Sequence, residues 1–372
     1  SQNVPNHVAN TMSSPYYRFD GVDDSILIAD NPLMDDVFAN GGSAEAWVYP
    51  LSDGESSYGR IVEKANWTFH IMGESGGLSK IRYYITSTGT DGEWKTTSTV
   101  LQNGVWSHVA VTYDGSSVSN DPVIYLNGVA QAITEVSQPA AALQTSDDGS
   151  ALYIGNRAAG DVTWDGQIAG VKLFNNALTA TEVKELYSGA SVPFKYKGAN
   201  QTELIAATND RTFAGASNWA NATFNAYDEE TDGFLSLDAN ATNQYAHLPA
   251  ANIPMTAGKT YRLTFTTSGS VVGTFNIHDF SSYQVLVSNF TPAASNSFEF
   301  TVTDSRVVGG LRLRSASSDA SANFDNFSLT QIGAVAEYDG SGAGKKIWGD
   351  KSGNDLHGTV TGATLENTPY DS

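Results

Sequence analysis

Apolar side chains in this sequence come in short alternating runs cut off by turn residues, a pattern that fits β-strands and little else. Tyr261, Leu263 and Phe265 alternate with Thr260, Arg262, Thr264 and Thr266. Phe298, Phe300 and Val302 alternate with Glu299, Thr301 and Thr303, while Leu311 and Leu313 alternate with Arg312 and Arg314. A two-residue period places each set on one face of a half-buried antiparallel strand. Trp106–Tyr113 reads the same way, and Pro122–Ala130 holds two strands around Asn127-Gly128. That pair favours a type I′ hairpin, because both central residues need positive φ. Gly, Asn, Asp and Ser clusters at regular spacing between such runs indicate an all-β sandwich rather than alternating strands and helices.

One helix interrupts the strands, at Leu178–Tyr187. Thr179 is a natural N-cap with Glu182 three residues on, Leu178 and Val183 are placed for a hydrophobic staple, and Gly189 supplies the stop. The short Pro- and Gly-containing stretch Ser191–Ala199 follows, and a domain boundary is placed there. With 372 residues the chain has room for two or three cores. Four segments are expected: an N-terminal arm, 1–15; a sandwich, 16–195; a second sandwich, 196–332; and a C-terminal tail, 333–372. The tail is turn-rich, with only Ile347, Trp348, Leu356 and Val360 to bury. It is expected to dock on another domain or subunit, or to stay mobile.

Composition removes several classes. There is no cysteine, so zinc ribbons, iron–sulfur clusters, thiol catalysis and disulfide scaffolds fall away. Forty acidic against 20 basic residues give a net charge of −20, which disfavours nucleic acid and anionic membranes. Hydrophobic residues make up 40% of the chain, enough to oppose disorder, yet no run reaches the ~18 apolar residues of a membrane span. Ser1–His7 has neither a basic nor an apolar run, so no attached signal peptide is expected.

Six segments in order resemble the laminin-G-like and pentraxin-like group of concanavalin A-type jelly rolls. They are Tyr17–Asp24, Ser43–Pro50, Trp106–Gly115, Ile124–Gly128, Leu152–Gly155 and Trp164–Phe174. That group usually has an acidic residue where this chain has Gly170. In the second half, Gly258–Phe265 and Phe324–Leu329 are similar to strands of jelly-roll carbohydrate-binding modules. Trp348–Pro369 resembles a segment of tail-fibre and other virion proteins of tailed bacteriophages. Together these resemblances imply an all-β chain of two tandem jelly-roll β-sandwich domains with one short helix and a core-poor tail.

Candidate chemistry is sparse. Glycoside hydrolysis needs two carboxylates held ~5–10 Å apart, and no Glu-x-Asp-x-Glu strand occurs. Asp228–Asp232, Asp23-Asp24, Asp35-Asp36 and Asp147-Asp148 read as solvated turns. The six histidines stand singly, without metal or triad spacing. No enzymatic activity is expected. Calcium is the one expected cofactor, since turn carboxylates and carbonyls supply hard oxygen ligands. Its candidates are Asp20, Asp24 and Asp165 in the first sandwich and Asp325 in the second. Turn-forming Asp residues bonded to their own backbone are the alternative. Glycan candidates are Trp67, Tyr83, Tyr84, Trp94 and Trp164, in or near loops or on adjacent strand positions, and Arg262, Arg312 and Arg314 on polar strand faces. Trp47, Trp106 and His108 are assigned to the fold itself.

The resemblances imply a non-catalytic phage virion protein, a capsid decoration or fibre or tail appendage at the virion surface. Its partners would be other virion proteins, copies of itself in a homo-oligomer, and surface glycans held weakly. Nucleic acid and membrane insertion are not expected. The alternative is a secreted bacterial polysaccharide-binding protein or adhesin, and the third reading is a glycoside hydrolase.

Overall fold

The computed structural model describes residues 12–39, 41–140, 146–189, 202–228, 233–304, 306 and 309–368. Most of the expected N-terminal arm, the stretch Ser191–Ala199 and residues 229–232 lie outside them. The chain is almost entirely β, with short helices at Ala180–Ser188 and Thr208–Thr212. It forms two compact units. One consists of Ser1–Ala199 together with Gly333–Ser372, and the other is Asn200–Ile332. The second unit is therefore an insertion in the first.

In the first unit, Gly42–Pro50 pairs with Ser107–Tyr113 on one side and Asp165–Phe174 on the other. A second run of strands orders Leu152–Ile154, Arg60–Lys64, Trp67–Ser75, Leu78–Ile85 and Gly92–Thr96. Between them lies one core, where Phe38, Trp67, Tyr83, Trp94 and Tyr113 pack ring against ring. Asn127 and Gly128 both take positive φ, as the hairpin requires. Gly170 sits at φ 59° in the bulge where Asp165–Phe174 slips register against Gly42–Pro50, a conformation costly for an acidic side chain.

The helix Ala180–Ser188 forms as its sequence dictates. Thr179 and Glu182 make the reciprocal capping box, and Gly189 closes the C-terminus in the left-handed region. Leu178 and Val183 bury against Ala110, Tyr125 and Phe174.

The C-terminal segment lies on another domain, one of the placements expected of it, but as strands of the first unit rather than as a separate docking tail. Ala334–Ala343 pairs with Asp165–Phe174, Ile347–Asp350 joins it to Gly358–Thr361, and that strand pairs with Ser25–Ile28. Thr364–Glu366 pairs with Tyr16–Asp20. Val335, Tyr338, Trp348 and Leu356 enter the common core. The segment needs few apolar residues because the other wall of that core is already built.

The second unit has two five-stranded sheets. One contains Leu235–Asp238, Ser321–Ile332, Thr260–Val272 and Ser295–Thr301. The other contains Tyr245–Leu248, Leu311–Ser315, Phe275–Asp279 and Val285–Phe290. Tyr261, Leu263, Phe265, Leu311 and Leu313 point into a core rich in phenylalanine, as their alternation demands.

Candidate functional site

Four of the aromatic glycan candidates are corrected by their packing. Trp67, Tyr83, Trp94 and Trp164 are fully buried in the first core. On a strand one of two neighbours must face inward, and here Tyr83 does while Tyr84 stays outside, half-buried. The Tyr84 hydroxyl donates to Asp91, and burial followed by this carboxylate pushes it up to about 12. Trp47 is buried under Tyr187, whereas Trp106 is half-buried against Tyr16 and Tyr49 rather than in the main core.

His108 belongs to a buried ionic cluster. Glu45 accepts from His108 Nε2 at 2.9 Å and from Lys172 Nζ at 3.0 Å, and Lys172 also lies 3.9 Å from Glu337. Burial pushes the Glu45 carboxyl up, but Lys172 and His108 outweigh it and hold it at about 2. A depressed carboxylate gives stability that is complete above its unfolded value, near 4.5, and is lost as pH falls through about 2. The shift corresponds to about 3 kcal/mol. Glu45→Gln should therefore be less stable at pH 7 and should flatten the fall in melting temperature between those pH values. An unchanged acid profile in calorimetry would remove Glu45 from that role.

Asp20, Asp23 and Asp24 come together, with a ligand oxygen from each within 4.8 Å of the others. Asp24 is buried, and burial pushes its carboxyl up, with the neighbouring Asp20 and Asp23 adding to the rise. Part of this turn bonds to itself: Asp24 accepts from the Asp20 amide and Asp20 from the Val22 amide. Asp165 stands opposite Asp20 in register, but its carboxylate accepts from Ser52 Oγ at 2.7 Å. Asp325 accepts from Asn326 and is not gathered with other acids among the described residues. Asp20, Asp23 and Asp24 thus gather three carboxylates, hard oxygen donors of the kind calcium takes, while Asp325 stands apart from other acids among the described residues.

Arg262 is separated from the other two arginine candidates. It lies on the sheet of Thr260–Val272 and pairs with Glu299, its cross-strand neighbour, at 3.1 Å. Arg312 and Arg314 share the polar face of the opposite sheet. His247, Arg312 and His278 form one cross-strand row there, and Tyr245, Arg314 and Asn276 form the next.

Arg312 is buried beneath aromatic rings rather than free. Its guanidinium carbon lies 4.0 Å from the Tyr283 ring centre, 4.2 Å from Tyr245 and 5.3 Å from Phe280. His247 stacks flat on Phe280 at 4.4 Å. Both histidines are held below the ordinary value, first by burial; Arg312 adds to this at His247, and Arg314 and Arg312 at His278. His278 Nδ1 donates to the Tyr283 carbonyl at 3.2 Å, which leaves Nε2 as an acceptor. That Nε2, Arg312 Nε and His247 Nδ1 are buried without a hydrogen-bond partner.

Tyr283 itself was not visible as a candidate in the sequence. It is 62% exposed at φ 64°, a conformation that a bulky residue rarely adopts. The turn is held by Asp279, which accepts from Ser281 Oγ and the Ser282 amide. The available signal was Phe280-Ser-Ser-Tyr283, an aromatic pair spanning a turn beside an arginine-bearing strand. The face as a whole offers an exposed ring over a braced, buried guanidinium, with the half-buried Arg314 and Asn276 in the next row.

No curated protein sequence matches the chain. Among solved structures it is similar to a heptameric SAP-like pentraxin from Limulus polyphemus, with 13% identity and a TM-score of 0.38 over 48% of this chain and 84% of the other. It is also similar to a putative carbohydrate binding protein from Bacteroides ovatus, with 18% identity and a TM-score of 0.33 over 46% of each. A third is the binding domain of Paraclostridial Mosquitocidal Protein 1, with 13% identity and a TM-score of 0.32 over 81% and 86%. Residues 20–184 match the family model described as the Concanavalin A-like lectin/glucanases superfamily, so the first unit carries a concanavalin A-like jelly-roll domain.

Proposed function

We propose that this chain is a non-catalytic glycan-binding protein whose second unit takes a sugar on the face around Arg312. The observation that carries this reading is Tyr283, an exposed ring held in a left-handed turn with Arg312 against it. Backbone strain at an exposed aromatic residue is a cost that a binding role explains. The apolar face of a sugar ring would stack on Tyr283. Its hydroxyls, which both donate and accept, suit Arg314 and Asn276, half-buried in the next row of the same face. The row His247, Arg312 and His278 holds no carboxylate pair to support hydrolysis.

Tyr283→Ala should weaken glycan binding about tenfold, the equivalent of ~1.4 kcal/mol of stacking. Its melting temperature should stay close to the parent's, because the residue is exposed. A glycan array followed by calorimetric titration checks this, and an unaltered affinity for every bound glycan would sink the assignment.

The proposal extends to calcium at Asp20, Asp23 and Asp24, read from the same thermal assay with millimolar calcium added. A calcium-dependent rise that disappears in Asp24→Asn supports it. The proposed setting is the virion surface of a tailed phage, in contact with other virion proteins and with copies of this chain. It is motivated by the resemblance of Trp348–Pro369 and tested by mass spectrometry of intact particles. Weak single sites repeated on such a particle would gain useful avidity.

A further inference from the structure

The polar face of the first unit carries a row of basic residues across successive strands. Arg60 pairs in register with His70, His70 with Arg82, and Arg82 with Lys95. Arg157 joins Arg60 and Arg82 in lining a cleft of about 340 Å³, together with Tyr58, Asp161 and Val162. Three guanidiniums around one cleft are a costly arrangement in a chain with 20 basic and 40 acidic residues. Their positions are fixed by local pairs: Arg60 with Glu63 at 2.5 Å, Arg82 with Glu93 at 2.8 Å and Arg157 with Asp161 at 2.5 Å.

Arg157 gives Nε and Nη2 to Asp161, and Arg60 gives Nε to Glu63 and Nη1 to the Tyr58 carbonyl, which leaves Arg157 Nη1 and Arg60 Nη2 as the spare donors of the cleft. Arg82 Nη1 donates to His70 Nε2 at 3.2 Å, while Arg82 Nε is buried with no partner. Because arginine only donates, His70 Nε2 accepts, and its Nδ1 proton goes to Thr68 Oγ1 at 2.8 Å. His70 is thus a neutral support behind Arg82, and burial together with Arg60 and Arg82 keeps it so. Tyr58 lines the same cleft and is 39% exposed, a ring on which a pyranose could lie.

We propose that this cleft is a second binding site, specific for a sugar unit bearing a carboxylate. From the proposed function it takes only that the ligand is a saccharide, and it shares no residue with the face around Arg312. The planar fork of arginine matches a carboxylate with two parallel hydrogen bonds, and Tyr58 supplies the contact that a bare anion would not need. The volume is that of a small-molecule site, enough for one or two sugar rings. Each guanidinium already faces a carboxylate, Glu63, Glu93 or Asp161, so a ligand carboxylate gains from the spare arginine donors rather than from a net positive charge.

The test titrates the full chain with sodium glucuronate, glucose and inorganic phosphate. Glucuronate should bind at least ten times more tightly than glucose, and phosphate at equal concentration should not displace it. Arg157→Gln, at a half-buried position, and Tyr58→Ala, at an exposed one, should each reduce glucuronate binding at least tenfold with an unchanged melting temperature. Arg82→Gln should do the same if it folds, and the first two variants decide the matter if it does not. Tyr283→Ala should leave glucuronate binding intact. Absence of glucuronate binding, equal binding of glucose, or displacement by phosphate would overturn this site. So would loss of binding in Tyr283→Ala with none in Arg157→Gln. None of these results touches neutral glycan binding at Tyr283, which is read separately.

Discussion

Lys64→Met lowers the melting temperature of the first unit by roughly 6–20 °C, the equivalent of about 3–5 kcal/mol in a domain of this size. Lys64 is wholly buried, and its Nζ donates to Asp35 Oδ1 at 2.7 Å and to both Asp147 Oδ1 and the Asp147 carbonyl at 2.8 Å. The sequence reading placed Asp147 in a solvated turn. Its side chain is instead fully buried, and it locks that turn to Asp36 by reciprocal amide bonds. Burial pulls the Lys64 ammonium down, but hydrogen bonds to Asp147 and Asp35 outweigh it and raise it. At Asp147 burial wins, and its carboxyl is raised despite Lys64.

The pair as a whole therefore adds little, while half of it is expensive. Removing Lys64 alone strands a buried carboxylate. The double variant Lys64→Met with Asp147→Asn should recover most of the loss, and calorimetry of the single and double variants measures the coupling. A single variant within a degree or two of the parent would show that water reaches Asp147.

Trp348→Ala should cost about 3–5 kcal/mol, again roughly 6–20 °C. Trp348 is fully buried, 4.8 Å from Tyr17 and 5.6 Å from Tyr338, and its Nε1 donates to the Asp339 carbonyl at 2.9 Å. Its loss opens a cavity on the line where the last strands join the first. Limited proteolysis should then cut within residues 334–366, which the parent protects. If this segment were secured by a neighbouring subunit instead, the isolated chain would melt as before and its tail would already be cleaved.

The strands were legible because alternation is a local property. So was the helix, whose cap, staple and stop are all written within twelve residues of sequence. Pairing over distance was not legible. Val335, Ala336 and Tyr338 look too few for a core until they meet Asp165–Phe174. The choice between adjacent aromatics such as Tyr83 and Tyr84 was likewise undetermined, because alternation says that one faces inward without saying which. Arg312 and Arg314 were found as cations on an apolar strand's other face. Tyr283 was missed because an exposed turn puts no periodic constraint on its residues, and His247 and His278 because cross-strand neighbours are far apart in sequence.

The insertion of one unit within the other sets an order of events during synthesis. Tyr17 donates to the Gly344 carbonyl at 2.6 Å across a separation of 327 residues. At about 5–20 residues per second, the ribosome needs roughly 15–65 s to make the second partner after the first. Asn200–Ile332 is complete before that and can fold first. Meanwhile Ser25–Ile28 and the Val171–Phe174 end of Asp165–Phe174 each wait with one edge unpaired. Newly made chains are thus most exposed to mispairing in the interval before the last strands emerge, and a nascent chain halted there would be the species that chaperones meet.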